Sequence, residues 1–302
     1  MQRASSHGAL NATLTFLHVT ANLFLLFGLP LLRASAGTLV LCVALGWLSA
    51  LPMWCVVHEA IHRSLHASQI TNDRWGRLLA VVAYGAPFAV LREGHLLHHV
   101  NNADGQFRLG ARPRSPVVWY ARYYLWLFSY PVATLYASNL IALLPSRVMI
   151  SLAPRFAGPR LRERLLRPAV LRRLRTDAAL ILAVHAVSAL CYAEQACALG
   201  RLLAGQCMII SFDDAVYHFK APPDPLHGYN LYVPRVVSWL LLHFVHHGVH
   251  HHHPGMRWTQ LPEAFDRSEQ SYDARYLQIA LQQLTPRADL VRSVVPNARR
   301  QP

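Results

Sequence analysis

The sequence predicts an all-α fold: an integral membrane helical bundle of about four core spans plus interfacial helices. Three observations carry that reading. Of the 302 residues, 53% are hydrophobic and only 15% charged, whereas an average soluble domain has about 25% charged residues. Apolar stretches lie at residues 12–32, 37–57, 119–144 and 178–212, and a helix of about 20 apolar residues crosses a bilayer. Beside these stretches stand three histidine clusters: His58 and His62; His95, His98 and His99; His247, His250 and His251. Residues three or four apart share one face of a helix, so each cluster projects to one side.

No soluble linker divides the chain, and residues 1–302 read as one domain. The net charge is +14, almost all of it from arginine, with Lys220 the single lysine. Codon bias and positive cytoplasmic loops account for this. A basic face for anionic lipid headgroups or an acidic carrier protein is the sharper reading. Nucleic acid is not an expected partner, because the arginines are scattered between apolar spans without a recognition motif. Cys42, Cys55, Cys191, Cys197 and Cys207 lie in apolar stretches without a C-x-x-C pair, so they read as small core residues.

The first span, Ala12–Leu32, is interrupted by His18. Ala34-Ser35-Ala36 raises the question of a cleaved signal peptide, but the apolar run exceeds the about 7–15 residues of a signal. A turn at Arg33–Ala36 sends the second span, Gly37–Val57, back to the starting side, directly into His58. Arg63, Arg74 and Arg77 follow, which puts that side in the cytoplasm. The stretch Leu78–Leu91 is too short to span and contains Gly85 and Pro87; it reads as re-entrant or interfacial. That shape returns the second cluster to the face of the first.

Trp119–Leu144, with Pro131 near its middle, reads as a third span. The segment Arg155–Arg175 then packs eight arginines together, and Ala178–Phe212, holding Glu194 and Arg201, is too long for one simple span. Two topologies stay open. If Trp119–Leu144 crosses once, the arginine segment lies outside, against the positive-inside rule. If it is re-entrant, the arginines stay cytoplasmic and Ala178–Phe212 forms a hairpin or lies interfacially. The number of crossings between the second and third clusters must be even if their histidines are to meet. The polar tail, residues 263–302, is expected in the cytoplasm, with a short helix near Tyr272–Gln283.

Taken alone, His58-Glu59-x-x-His62 is the signature of a zinc protease, two histidines binding metal and the glutamate serving as base. The other clusters shift that reading. Zinc is usually satisfied by four ligands, and eight imidazoles are enough for two metals; nitrogen-rich sites suit iron among others. The third cluster has two frames, because His243-Phe244-Val245-His246-His247 overlaps His247-Gly248-Val249-His250-His251. His252 and His253 extend the run, but Pro254 and an aromatic sequence follow, so it is not a tag.

The order H-x3-H, H-x2-H-H, H-x2-H-H with apolar spans between resembles the membrane fatty acid desaturase family, bacterial members in particular. Asn72-Asp73 and Gly76 after the first cluster fit it, as does Arg92-Glu93-Gly94-His95 leading into the second. So does the ending, Asn230-Leu231 and then His247 through Pro254, Trp258 and Leu261-Pro262. The resemblance covers roughly residues 40–262 and favours the His247 frame.

It implies two iron ions held by His58, His62, His95, His98, His99, His247, His250 and His251, with His218 as the ninth ligand. Family members often carry asparagine four residues before the third cluster; here that position is His243. His243 is therefore open to ligation, to holding a water, or to a supporting role. Glu59, Asp213 and Asp214 are candidates to orient imidazole N–H groups. No catalytic residue beyond the metal ligands is expected. His18 and His185 lie mid-span without an assigned role.

The chemistry suits the arrangement. An aliphatic C–H bond has neither an acidic proton nor a leaving group, so a redox metal must activate dioxygen while the protein positions the chain and excludes water. The implied activity is an oxygen-dependent desaturase of a fatty acyl group linked to lipid, coenzyme A or carrier protein. Hydroxylase or ketolase action on acyl, alkane or carotenoid substrates is the alternative. A zinc protease and a histidine-rich metal carrier are the remaining readings. Membrane lipid, a separate ferredoxin-like electron donor and an acyl carrier protein are the implied partners. The expected location is a bacterial inner membrane, with the active site on the cytoplasmic side.

Overall fold

The computed structural model describes residues 2–32, 34–100, 115–152, 158–220, 224 and 226–285. Arg33, Arg155 and the part of the expected tail beyond residue 285 lie outside them. The fold is mostly helical, and its elements sort into two compact units.

The first unit comprises residues 1–97 and 128–211. Helix α1 (Gln2–Leu23) continues through a wide five-residue turn, Phe24–Gly28, into Leu29–Leu31. Pro30 explains the wide turn, since it has no N–H to return to a carbonyl behind it. Tyr192 and Ser188 meet the shortfall, donating to the carbonyls of Leu25 (2.6 Å) and Leu26 (2.8 Å). Helix α2 (Ala36–Leu48) opens on Ser35, whose Oγ accepts from Thr38 N–H, a usual N-cap. It bends at Ser49 into α3 (Ala50–Ile61), where Pro52 withholds its hydrogen bond from the Leu48 carbonyl.

Helix α4 (Gln69–Leu79), capped by Ser68, runs on through Ala80–Tyr84. Gly85 then turns the chain at φ 72°, a left-handed conformation glycine adopts readily, and α5 (Phe88–Val100) follows. Leu78–Leu91 is thus a helical end, a turn and a helical start. Asn139 holds the turn, donating to the Gly85 carbonyl at 2.9 Å.

Helix α6 (Pro116–Leu143) covers the third expected apolar stretch, and α7 (Ser146–Leu152) and α8 (Pro159–Leu165) are short. The long region Ala178–Phe212 divides between α9 (Pro168–Tyr192) and α10 (Ala196–Val216), joined by a tight turn with Ala193 at φ 43°. The two helices run in opposite directions along α1. Helix α9 ends with Tyr192 against Leu25, whereas α10 begins with Leu199 near Leu26 and proceeds to Gln206 beside Asn22. The core between them holds Leu26, Val81, Val82, Ile181, Tyr192 and Leu199, with Leu25, Leu29, Val43 and Leu202 alongside. Among the described residues, three helical stretches are long and apolar enough to cross a membrane: His7–Leu31, Ala36–Ile61 and Pro168–Val216. The third is the α9–α10 pair.

The second unit comprises residues 98–127 and 212–302. Beyond the ends of α5, α6 and α10 it holds β1 (Leu231–Tyr232), α11 (Arg235–Leu240), α12 (His247–His252), α13 (Leu261–Arg267), β2 (Ala274–Arg275) and α14 (Tyr276–Leu284). The strands pair in parallel, Leu231 with Ala274 and Tyr232 with Arg275. Helix α14 lies within the region where the sequence predicts a short helix.

Candidate metal centre

In the first unit, the last turn of α3 carries His58 and Glu59, and His62 caps it. Arg63 at φ 62° breaks the helix, and the Ser64 N–H and hydroxyl both return to the Glu59 carbonyl. Asn72 donates to the Ala60 carbonyl at 2.9 Å, and Asn11 to that of Leu65 at 2.9 Å, so the segment is fixed from two sides. Arg92 donates to Asp73 at 3.0 Å, tying α5 to α4. His95 on α5 therefore meets the first cluster. Its Nε2 lies 2.9 Å from that of His58, and its ring centre 4.9 Å from that of His62. Trp54 presents its edge to both His58 and His95.

In the second unit, four imidazoles gather: His98 from α5, His218 just past α10, and His247 and His251 from α12. All four are buried, and their ligand nitrogens lie within 4.8 Å of one another. The Nε2 separations are 3.1 Å for His98–His218, 2.9 Å for His218–His247 and 3.1 Å for His247–His251. Alongside, His99 and His250 bring their Nε2 atoms to 3.1 Å. Gly228 permits the packing: a Cβ there would stand 2.8 Å from a ring carbon of both His247 and His251.

Hydrogen bonding alone does not account for the foursome. A neutral imidazole carries one N–H and one lone pair, and one Nε2 hydrogen serves one of its contacts. Three contacts in a row along four Nε2 atoms therefore exceed what alternating donors and acceptors supply. One cation shared by the lone pairs satisfies them all. With metal–nitrogen bonds of about 2.1 Å, ligands at right angles stand about 3.0 Å apart and tetrahedral ones about 3.4 Å. The observed spacing fits the right-angled arrangement, and the all-imidazole donor set suits iron. Burial, with the neighbouring imidazoles of His98, His251 and His99, pushes the His218 pKa well below its ordinary value. His218 thus stays neutral, with its lone pair available.

The nine histidines predicted as ligands therefore gather as a trio in the first unit, and as a foursome and a pair in the second. The supporting candidates are His243, Asp213, Glu59 and Asp214. His243, at φ 55°, bonds Ser238 through Nδ1 at 2.9 Å and lies against Trp258; it belongs to none of the trio, the foursome and the pair. Asp213 accepts from the Tyr276 hydroxyl at 2.6 Å. Glu59 is buried and Asp214 half-buried.

Two residues of the site have no mark in the histidine pattern. Tyr217 is fully buried against His247, and Asn230 accepts from the Val249 N–H while donating to Gln270. Tyr217 is signalled only by its place beside His218, whereas Asn230 stands in the Asn230-Leu231 pair that the family resemblance already includes.

The family model for fatty acid desaturases matches residues 34–282. No curated protein and no solved structure matches the chain. The family is one of di-iron membrane oxidoreductases of desaturase and hydroxylase type, which act on fatty acyl substrates in lipid. The match takes in all nine grouped histidines and most of the sequence, and the chain belongs to the fatty acid desaturase family.

Proposed function

We propose that this protein is an oxygen-dependent fatty acyl desaturase with two irons. The observation that carries the reading is the buried foursome of His98, His218, His247 and His251, whose nitrogens are spaced for one cation. In this reading those four hold one iron. The trio His58, His62 and His95 and the pair His99 and His250 are the other predicted ligands.

The irons would supply one-electron chemistry with dioxygen, which no side chain provides. The protein's own part is position and exclusion of water. The imidazoles are nitrogen donors, seven of the nine buried, and Trp54 gives the first trio an aromatic wall. Apolar spans would hold the acyl chain while its head stays at an arginine-bearing surface, on the cytoplasmic side in this reading. A methylene in an apolar pocket is worth only about 1–3 kcal/mol, so the head must help set which carbon reacts.

The overall reaction balances as one acyl CH2–CH2 pair, dioxygen, two electrons and two protons giving one double bond and two waters. A separate ferredoxin-like donor would supply the electrons, and an acyl carrier protein is a candidate carrier of the substrate. The test is product analysis with purified protein, an artificial reductant and acyl substrates, with and without oxygen. A new double bond formed only with oxygen supports the reading. An alcohol as sole product replaces it with a hydroxylase.

A further inference from the structure

The carboxyl-terminal segment is fastened to both chain stretches that deliver the four-imidazole site. Helix α14 opens with Tyr276, whose hydroxyl donates to Asp213 Oδ1 at 2.6 Å. Asp213 is 2% exposed and sits on the last turn of α10, five residues before His218. The Tyr276 ring also stands 6.2 Å from Tyr217, which in turn lies 4.9 Å from His247 and 5.0 Å from Phe244. At the far end of α14, Gln283 donates to the Phe212 carbonyl at 2.9 Å while its own carbonyl accepts from Tyr123 at 2.7 Å. Both ends of the helix thus grip residues 212–217, the stretch leading into His218.

The same segment reaches the third cluster. Asp273 accepts from Asn230 N–H at 2.7 Å, and the Asn230 side chain accepts from Val249 N–H at 3.1 Å, inside α12. Tyr229 N–H also donates to the Tyr217 carbonyl at 3.0 Å, so the stretches that carry His218 and His247 are tied to each other, and the tail touches both.

We infer that Tyr276 is a positioning residue for the His98/His218/His247/His251 site, setting the place of His218 through Asp213 and of His247 through Tyr217. The inference rests on the proposed metal site, but its test does not depend on the metal being iron or on turnover. It also differs from plain packing, because packing predicts lost stability rather than lost metal affinity.

The experiment titrates cobalt(II), read by its visible absorption, into full-length metal-free protein in detergent. Tyr276→Phe, which keeps the ring on Tyr217 and removes the hydroxyl, should weaken cobalt binding at one site by about tenfold. It should leave the unfolding temperature of the metal-free protein near wild type. Asp213→Leu, which removes the acceptor, should cause the same loss, and the double variant should be no worse than either alone. Wild-type cobalt affinity in Tyr276→Phe, or losses that multiply in the double variant, overturns the inference. Purified wild-type protein without iron would sink the desaturase reading, while the cobalt comparison would still decide the role of Tyr276.

Discussion

Arg77 donates through Nε to the Asp177 carboxylate at 2.9 Å, joining α4 to α9 across one hundred residues of sequence. The Asp177 side chain is 1% exposed and that of Arg77 35%. Removing one partner of such a pair strands a buried charge and costs about 3–5 kcal/mol; because Arg77 is partly exposed, the low end applies. Arg77→Ala should therefore lower the unfolding temperature markedly. The paired change Arg77→Met with Asp177→Leu should recover most of the loss. If Arg77→Ala unfolds like wild type, this contact does not hold the two helices.

Gly228 lies directly against two rings of the four-imidazole site. In Gly228→Ala the new methyl must displace His247 or His251, both almost fully buried. Overpacking of this kind costs about 1–3 kcal/mol, and here it falls on ligands. The expected result is loss of about one metal per chain, measured by elemental analysis, with the other retained. Full retention of metal would show that the rings are not held where the structure puts them.

His246 gives a pH signature. Burial pushes its pKa down to about 4 from 6.5, with nearby His243 adding to the shift and Asp266 opposing it. The ring packs on Phe265 and Tyr272. A group that protonates near 6.5 unfolded but near 4 folded binds more protons in the unfolded chain between those values. Metal-free protein should keep its full stability above pH 6.5 and lose it progressively as pH falls toward 4. His246→Phe should flatten part of that slope in denaturant titrations; an unchanged slope assigns it to other groups.

Glu59 separates two chemistries that share H-E-x-x-H. In a zinc protease the glutamate is the base, and Glu59→Gln abolishes activity. In the desaturase it is at most a support for its neighbours, so oxygen-dependent product should fall by no more than about tenfold. Peptide cleavage by wild-type protein that vanishes in Glu59→Gln would reverse the assignment.

Much of this was legible because histidine spacing and apolar length are local signals. The i, i+3, i+4 pattern of His95, His98 and His99 needs only one helix to be meaningful, and that helix is α5. His218 was reachable through resemblance, and it joins the foursome. What stayed hidden depends on distant partners. The break between α9 and α10 is a tight turn at Ala193 beside Glu194 and Gln195, so composition showed excess length and two polar residues but not the left-handed turn between the helices. Asp213 read as a candidate orienter of imidazoles, and it accepts a hydrogen bond from Tyr276, 63 residues away. His243 read as open to ligation, to holding a water or to a supporting role, and in the fold it has a left-handed backbone and a Ser238 contact that no spacing announces.

The most direct measurement is metal content per chain of detergent-purified protein, wild type beside His218→Ala. Two irons falling to about one in the variant is the expected result, since His218 serves the foursome alone. A single zinc in wild type, or iron unaffected by the substitution, contradicts the two-iron assignment.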